Sequence, residues 1–314
     1  MKSMPLAEYL ADPCPEPSLS SSAAMTLLTR SPLHCWHEHP RLNPEYVSEQ
    51  ANRLDIGAAA HALFLEQDDS RFVVIEADDW RTKAAQAARD EAHAAGLIPL
   101  LTHQHDKVVS IAEASEAALA RCDELSGIVD DAIVEHVCTW QEDGTWCRAR
   151  PDLVAGDKKI VLNYKTTEAS ASPEPFGAGV LTRSGYHVQA FHHAQGVATV
   201  CQCELPKCVW LVQEVEPPYA ASILGMSPSL LELASIQWAQ ALNIWRMCLR
   251  FGEWPAYPSR ICWIEARPWD LERWKQGATG PDSEQTKYSD AKCPATGISE
   301  LICRCERCEE RRNG

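Results

Sequence analysis

The sequence predicts an α/β protein of α+β character, on three observations. Helix-spaced apolar residues dominate the first 126 positions. A run of β-prone segments joined by tight turns fills 133–165. Helix, strand and long helix then follow to residue 251. A chain of 314 residues is long for one domain but within reach of a single core. We expect one elaborated domain over 1–274 and a polar, cysteine-rich tail over 275–314.

The elements follow in order. Residues 18–30 read as a helix led by capping serines and closed by Ser31-Pro32. Leu33 to Pro40 carries His34, Cys35, His37 and His39, and reads as a loop with surface histidines rather than a ligand set. Residues 53–66 form a second helix, with Gly57, Ala60 and His61 on adjacent faces. Alanine-rich helices follow at 80–95 and 104–126, the latter stopped by Gly127. Strands are expected at 133–140, at 146–155 after the Asp143-Gly144 turn, at 159–165 after Gly156-Asp157, and at 208–215. Tyr186 to Val200 and Pro228 to Phe251 read as helices, the second ended by Gly252.

Composition excludes some classes. The chain is 45% hydrophobic and 23% charged, with no low-complexity block. No apolar run reaches the ~20 residues a membrane span needs. The N-terminal residues lack the apolar stretch of a secretory signal. Fourteen cysteines without such a signal read as reduced thiols, some on metal, in a cytoplasmic protein. A net charge of −15 argues against a simple basic nucleic-acid binder. It is compatible with acid clusters that hold metal beside a locally basic lining.

The chemistry-bearing pattern is Arg150-Pro151-Asp152, ten residues, then Asn163-Tyr164-Lys165. Antiparallel strands joined by a tight turn place Asp152 beside residue 163, and residues 163 and 165 share a strand face. Carboxylates there would hold Mg²⁺ or Mn²⁺ in a two-metal site, with a lysine stabilising developing charge on a phosphate. Alone the pattern is weak. Lys165-Thr166-Thr167 and a helix bearing Tyr186, Gln189 and His193 near one face add to it.

These motifs, with Gly57-Ala58-Ala59-Ala60-His61, Trp254-Pro255-Ala256-Tyr257 and Arg267-Pro268-Trp269, resemble the exonuclease VIII (RecE-type) branch of the PD-(D/E)xK nucleases over residues 18–270. The resemblance implies a restriction-endonuclease-like core, a central mixed sheet flanked by helices. It assigns His61 and Asp152 to metal, residue 163 to the second metal carboxylate, Lys165 to catalysis, and Gln189 to support of the site. Tyr186 is a candidate DNA contact, and Glu135 an extra acidic ligand. Arg30 and Arg53 are candidates for a 5′-phosphate contact. It further implies 5′→3′ digestion of linear double-stranded DNA, a RecT-like single-strand annealing protein as partner, a ring-like homo-oligomer, and a phage or prophage origin.

Asn163 departs from the pattern, which demands Asp or Glu. It is an engineered Asp→Asn change, a natural non-cutting DNA-binding or assembly factor, or a loss offset by Glu135 or Asp157. The intact Lys165 favours the first. Finally, Cys293, Cys303, Cys305 and Cys308 lie within sixteen residues. They are read as a Zn²⁺ site, an iron–sulfur site completed by Cys14 or Cys35, or free thiols.

Overall fold

A computed structural model describes residues 1–46 and 56–277. Contacts divide the chain into two units, Met1–Tyr257 and Pro258–Gly314. The boundary expected at 274/275 falls inside the last described helix, α10 (Pro268–Gly277).

The first unit begins with α1 (Leu6–Leu10), α2 (Ser21–Thr29) and α3 (Pro32–Glu38). Ser20 caps α2 by accepting from Ala23 N–H, and Ser31 caps α3 with Pro32 at its first position. The loop expected at 33–40 is therefore largely helical, because Ser31-Pro32 ends one helix and starts the next. Cys35 is buried there, and buried His39 donates from Nε2 to the Ser18 carbonyl. Next come α4 (Ile56–His61), a π turn at Ala62–Glu66, β1 (Phe72–Ile75), α5 (Lys83–Ala94), β2 (Ile98–Leu101) and α6 (Thr102–Ala120). β1 and β2 pair in parallel as a separate two-stranded sheet that the sequence did not announce.

The main sheet has the order β3-β6-β7-β8-β9, from β3 (Ile133–Val134), β6 (Leu153–Val154), β7 (Ile160–Thr167), β8 (Lys207–Glu214) and β9 (Ala221–Gly225). Only β7 and β8 run parallel; they are joined through α7 (Pro173–Pro175), a π turn and α8 (Tyr186–Cys201). A mixed five-stranded sheet flanked by helices is thus the observed architecture. β4 (Cys138–Glu142) and β5 (Thr145–Ala149) form their own hairpin, with Asp143 and Gly144 both at positive φ. The single strand expected over 146–155 is two strands in two sheets. Pro151 has no N–H to give a ladder, and the chain changes sheet there.

Side chains alternate across β7. Val161 joins one apolar core with Trp210, Val188 and Trp238 of α9 (Pro228–Phe251); Leu162 and Tyr164 join a second core with Leu211 and Ile111 of α6. The sheet is therefore covered on both faces.

His192 is one buried imidazole in the first core. It stacks on Trp238, with ring centroids 4.0 Å apart, and donates from Nε2 to the Arg148 carbonyl at 2.8 Å. Burial lowers its pKa from 6.5 to about 3. The unfolded chain thus binds the extra proton below pH 6.5. The stabilisation is present above that pH and is lost as pH falls toward 3. Between pH 7 and pH 5 this group is expected to cost about 2 kcal/mol of stability. Denaturant titrations at the two pH values should show a shallower dependence in His192→Gln, by roughly one proton; an unchanged dependence would refute the assignment.

Candidate metal centre

The site lies where several chain breaks converge. β6 and β7 are antiparallel with Leu153 opposite Leu162, so Asp152 enters the sheet beside Asn163. Asp152 Oδ2 accepts from Tyr164 N–H at 2.8 Å, which fixes the carboxylate beside β7. Glu135 follows β3 directly and adopts a left-handed backbone, φ 56°, rare for a side chain of its size. Its N–H bonds to the Asp152 carbonyl at 3.1 Å, and its own carbonyl accepts from Arg150 Nε at 3.2 Å. The same guanidinium pairs with its carboxylate. His61 ends α4, after Ala59 and Ala60, which are fully buried and let that helix approach the sheet.

These elements bring His61, Glu135 and Asp152 together, with one ligand atom from each within 4.8 Å of the others. His61 Nε2 lies 3.3 Å from Glu135 Oε1 and 3.9 Å from Asp152 Oδ1, and His61 Nδ1 lies 3.9 Å from Glu66. Lys165 Nζ stands 3.7 Å from Asp152 and 5.1 Å from the Tyr186 ring centroid. Tyr186, Gln189 and His193 project from α8 into the same cleft of about 440 Å³. Its rim also carries Ser21, Ser22 and Thr166.

The charges are mutually tuned. Burial holds His61 down, but the carboxylates of Asp152, Glu66 and Glu135 outweigh it and lift its pKa to about 9. Burial lifts Glu135 to about 7, with His61 opposing and Asp152 reinforcing. Burial also works against an ionised Asp152, yet Lys165 and His61 hold it well below the usual carboxylate range. Crowded acids are a repulsive arrangement that a cation relieves. Two carboxylates and an imidazole, oxygen-rich and partly exposed, suit a hard divalent metal.

Asn163 is placed beside this cluster but not free within it. It is fully buried, and its Oδ1 accepts from His193 Nδ1 at 3.0 Å while Nδ2 reaches the Val209 carbonyl at 3.4 Å. Burial drops His193 to about 4, so the imidazole is neutral. Of the carboxylates considered as replacements, Glu135 is in the cluster. Asp157 sits on the exposed β6–β7 turn, bonded to Lys159, and is corrected out of the site. Arg30 is likewise not brought to the cleft: it is exposed and paired with Glu38. Arg53 and the cysteines 293, 303, 305 and 308 lie outside the described residues, and Cys14 and Cys35 are buried.

Sequence reasoning assigned no role to Glu66, Arg71, Arg150 and His193. Glu66 ends the helix expected over 53–66, five residues after His61, and Arg150 directly precedes the Pro151-Asp152 pair. Those positions were the available signal. Nothing local marks Arg71.

Comparison with known proteins bears on the fold. No protein family and no curated protein matches the chain. A solved structure of a candidate exonuclease from Eubacterium rectale is similar over 86% of this chain and 98% of its own, with a TM-score of 0.55 and 11% identity. A second, SSO0001, covers 88% and 97% at 10% identity, but its TM-score of 0.30 carries no weight. The first likeness establishes a shared α/β fold. Fold and site together define an α/β protein with an acidic, metal-competent cluster where β6 meets β7 in its mixed sheet.

Proposed function

We propose that this chain is a PD-(D/E)xK nuclease that binds linear double-stranded DNA through Mg²⁺ or Mn²⁺ and cuts it slowly. The observation that carries the reading is the His61–Glu135–Asp152 cluster with Lys165 at its side. When bound, the cation supplies Lewis acidity at the scissile phosphate and an activated water. The protein's own groups do the rest. Asp152 and Glu135 anchor from two strand ends, and His61 closes the set from the helix. Lys165, cationic and only 16% exposed in its side chain, is placed to meet charge developing on the phosphate. Tyr186 and Gln189 face the cleft where a backbone or base would pass.

The order of the motifs along the chain supports the exonuclease VIII branch, and with it 5′→3′ digestion, a RecT-like annealing partner, a ring of subunits and a phage-encoded protein working in the cytoplasm. No helix among the described residues is long and apolar enough to cross a membrane. A C-terminal Zn²⁺ site remains part of the proposal for the tail.

A second reading is a non-cutting DNA-binding factor. The engagement of Asn163 by His193 favours it, because the second carboxylate position is then both uncharged and occupied. One comparison separates the two. With Mn²⁺, the chain should shorten linear duplex DNA and spare covalently closed circles, and Lys165→Met should reduce the rate by roughly 100-fold or more, the scale of losing one charge-stabilising donor. Metal-dependent binding of both proteins to DNA with no cutting by either would establish the second reading instead.

A further inference from the structure

A second cavity, of about 650 Å³, adjoins the cleft and shares with it Leu6, Glu66, Arg71, Glu135 and Arg150. Its size falls in the ~300–1,000 Å³ range of small-molecule sites. His61, Asp152 and Lys165 line only the cleft, while Glu135 of the cluster lines both spaces. The residues shared with the cleft include the guanidiniums of Arg71 and Arg150 and the carboxylates of Glu66 and Glu135. The rest of the lining mixes apolar Met4, Pro5, Leu65, Val129 and Val134 with polar Ser3 and Gln67.

The two arginines are held but not exhausted. Arg71 uses Nη1 on Glu66, and Arg150 uses Nε and Nη1 on Glu135. Each guanidinium has five N–H donors in a planar fork that matches phosphate oxygens. Two arginines with unused donors and several apolar side chains lining one cavity fit a small anion carrying a flat ring.

We propose that this cavity binds a deoxynucleoside 5′-monophosphate, the product released at the cluster, with its phosphate on Arg71 and Arg150 and its base against Val129 and Val134. The identity of the ligand as product rests on the nuclease reading; the binding itself rests on the cavity. Nucleotide held there would leave the metal cluster while the next phosphate of the strand occupies the cleft, which accords with removal of one nucleotide at a time.

Calorimetric titration of the full chain in Mn²⁺ with dAMP and with deoxyadenosine tests this. The expected result is at least tenfold tighter binding of dAMP. Arg71→Gln should weaken dAMP at least tenfold by removing a phosphate donor. Val129→Trp, at a position 39% exposed and outside the metal cluster, should do the same by filling the space beside the apolar side chains. Mn²⁺ affinity within twofold of the parent shows that each variant is folded with its cluster intact. Equal affinity for dAMP and deoxyadenosine, or parental dAMP affinity in Val129→Trp, would overturn the assignment. If dAMP binds as described but Asn163→Asp cuts no DNA, the nuclease reading fails while the nucleotide site stands.

Discussion

Asn163→Asp is expected to raise Mg²⁺-dependent degradation of linear duplex DNA by about 100-fold or more. Strand register underlies the effect. Asn163 lies beside Asp152 across β6 and β7, so a carboxylate there adds a charged ligand to the cluster without moving the backbone. Asp and Asn are nearly isosteric, and the buried charge would have the His193 imidazole beside it as a partner, so the fold should tolerate the change. About 100-fold corresponds to about 3 kcal/mol of transition-state stabilisation, within what metal-held charge supplies. One competing contact sets a second variant. His193 Nδ1 lies 3.0 Å from Asn163 Oδ1, and an aspartate could be retained there as an ion pair. Asn163→Asp with His193→Ala should then cut at least as fast as the single variant. If neither variant nor parent degrades DNA under Mg²⁺ or Mn²⁺, the chain is not a nuclease.

Asp152→Asn is expected to have the opposite and larger effect on the metal. Among the described residues, Asp152 is the one carboxylate near His61, Lys165 and the Tyr164 amide at once. An asparagine can still accept the Tyr164 N–H, so the strand edge should persist. Its neutral amide cannot hold a hard cation against Lys165. Mn²⁺ affinity should fall at least about 100-fold, about 3 kcal/mol at 1.4 kcal/mol per decade. Folding stability should move far less. Lys165 loses its counter-charge, while Glu135 loses the like-charged neighbour that reinforces its raised pKa. Calorimetry with Mn²⁺ and a thermal melt check both halves. Collapse of the fold with retained metal affinity would mean that Asp152 is structural.

Much of this was legible where local chemistry decides. The serine before α2, Ser31-Pro32 and Gly252 each mark a helix end in the sequence and do so in the structure. The turn at Gly156-Asp157 placed Asp152 beside residue 163 because a short antiparallel hairpin leaves little freedom of register. Long-range pairing was not legible. β1 and β2 are four residues each and pair across α5, with no turn signal between them. The Asn163–His193 bond joins residues thirty apart in sequence, and the helical face carrying His193 says nothing about which strand residue it meets. Glu135 could be named as an acid on a core strand. Its left-handed backbone and the two-point grip of Arg150, which aim it at the cluster, come only from tertiary packing. Arg71 belongs to the same class: its Glu66 partner and its cavity are visible only once the π turn has folded α4 back toward it.

The most direct test is a crystal structure of the chain with Mn²⁺ and a short blunt duplex, read by anomalous scattering. A peak bounded by His61, Glu135 and Asp152, with a DNA phosphate between it and Lys165, is the result expected of a metal-dependent nuclease. Mn²⁺ absent from that cluster, with the duplex bound elsewhere, would contradict the nuclease reading.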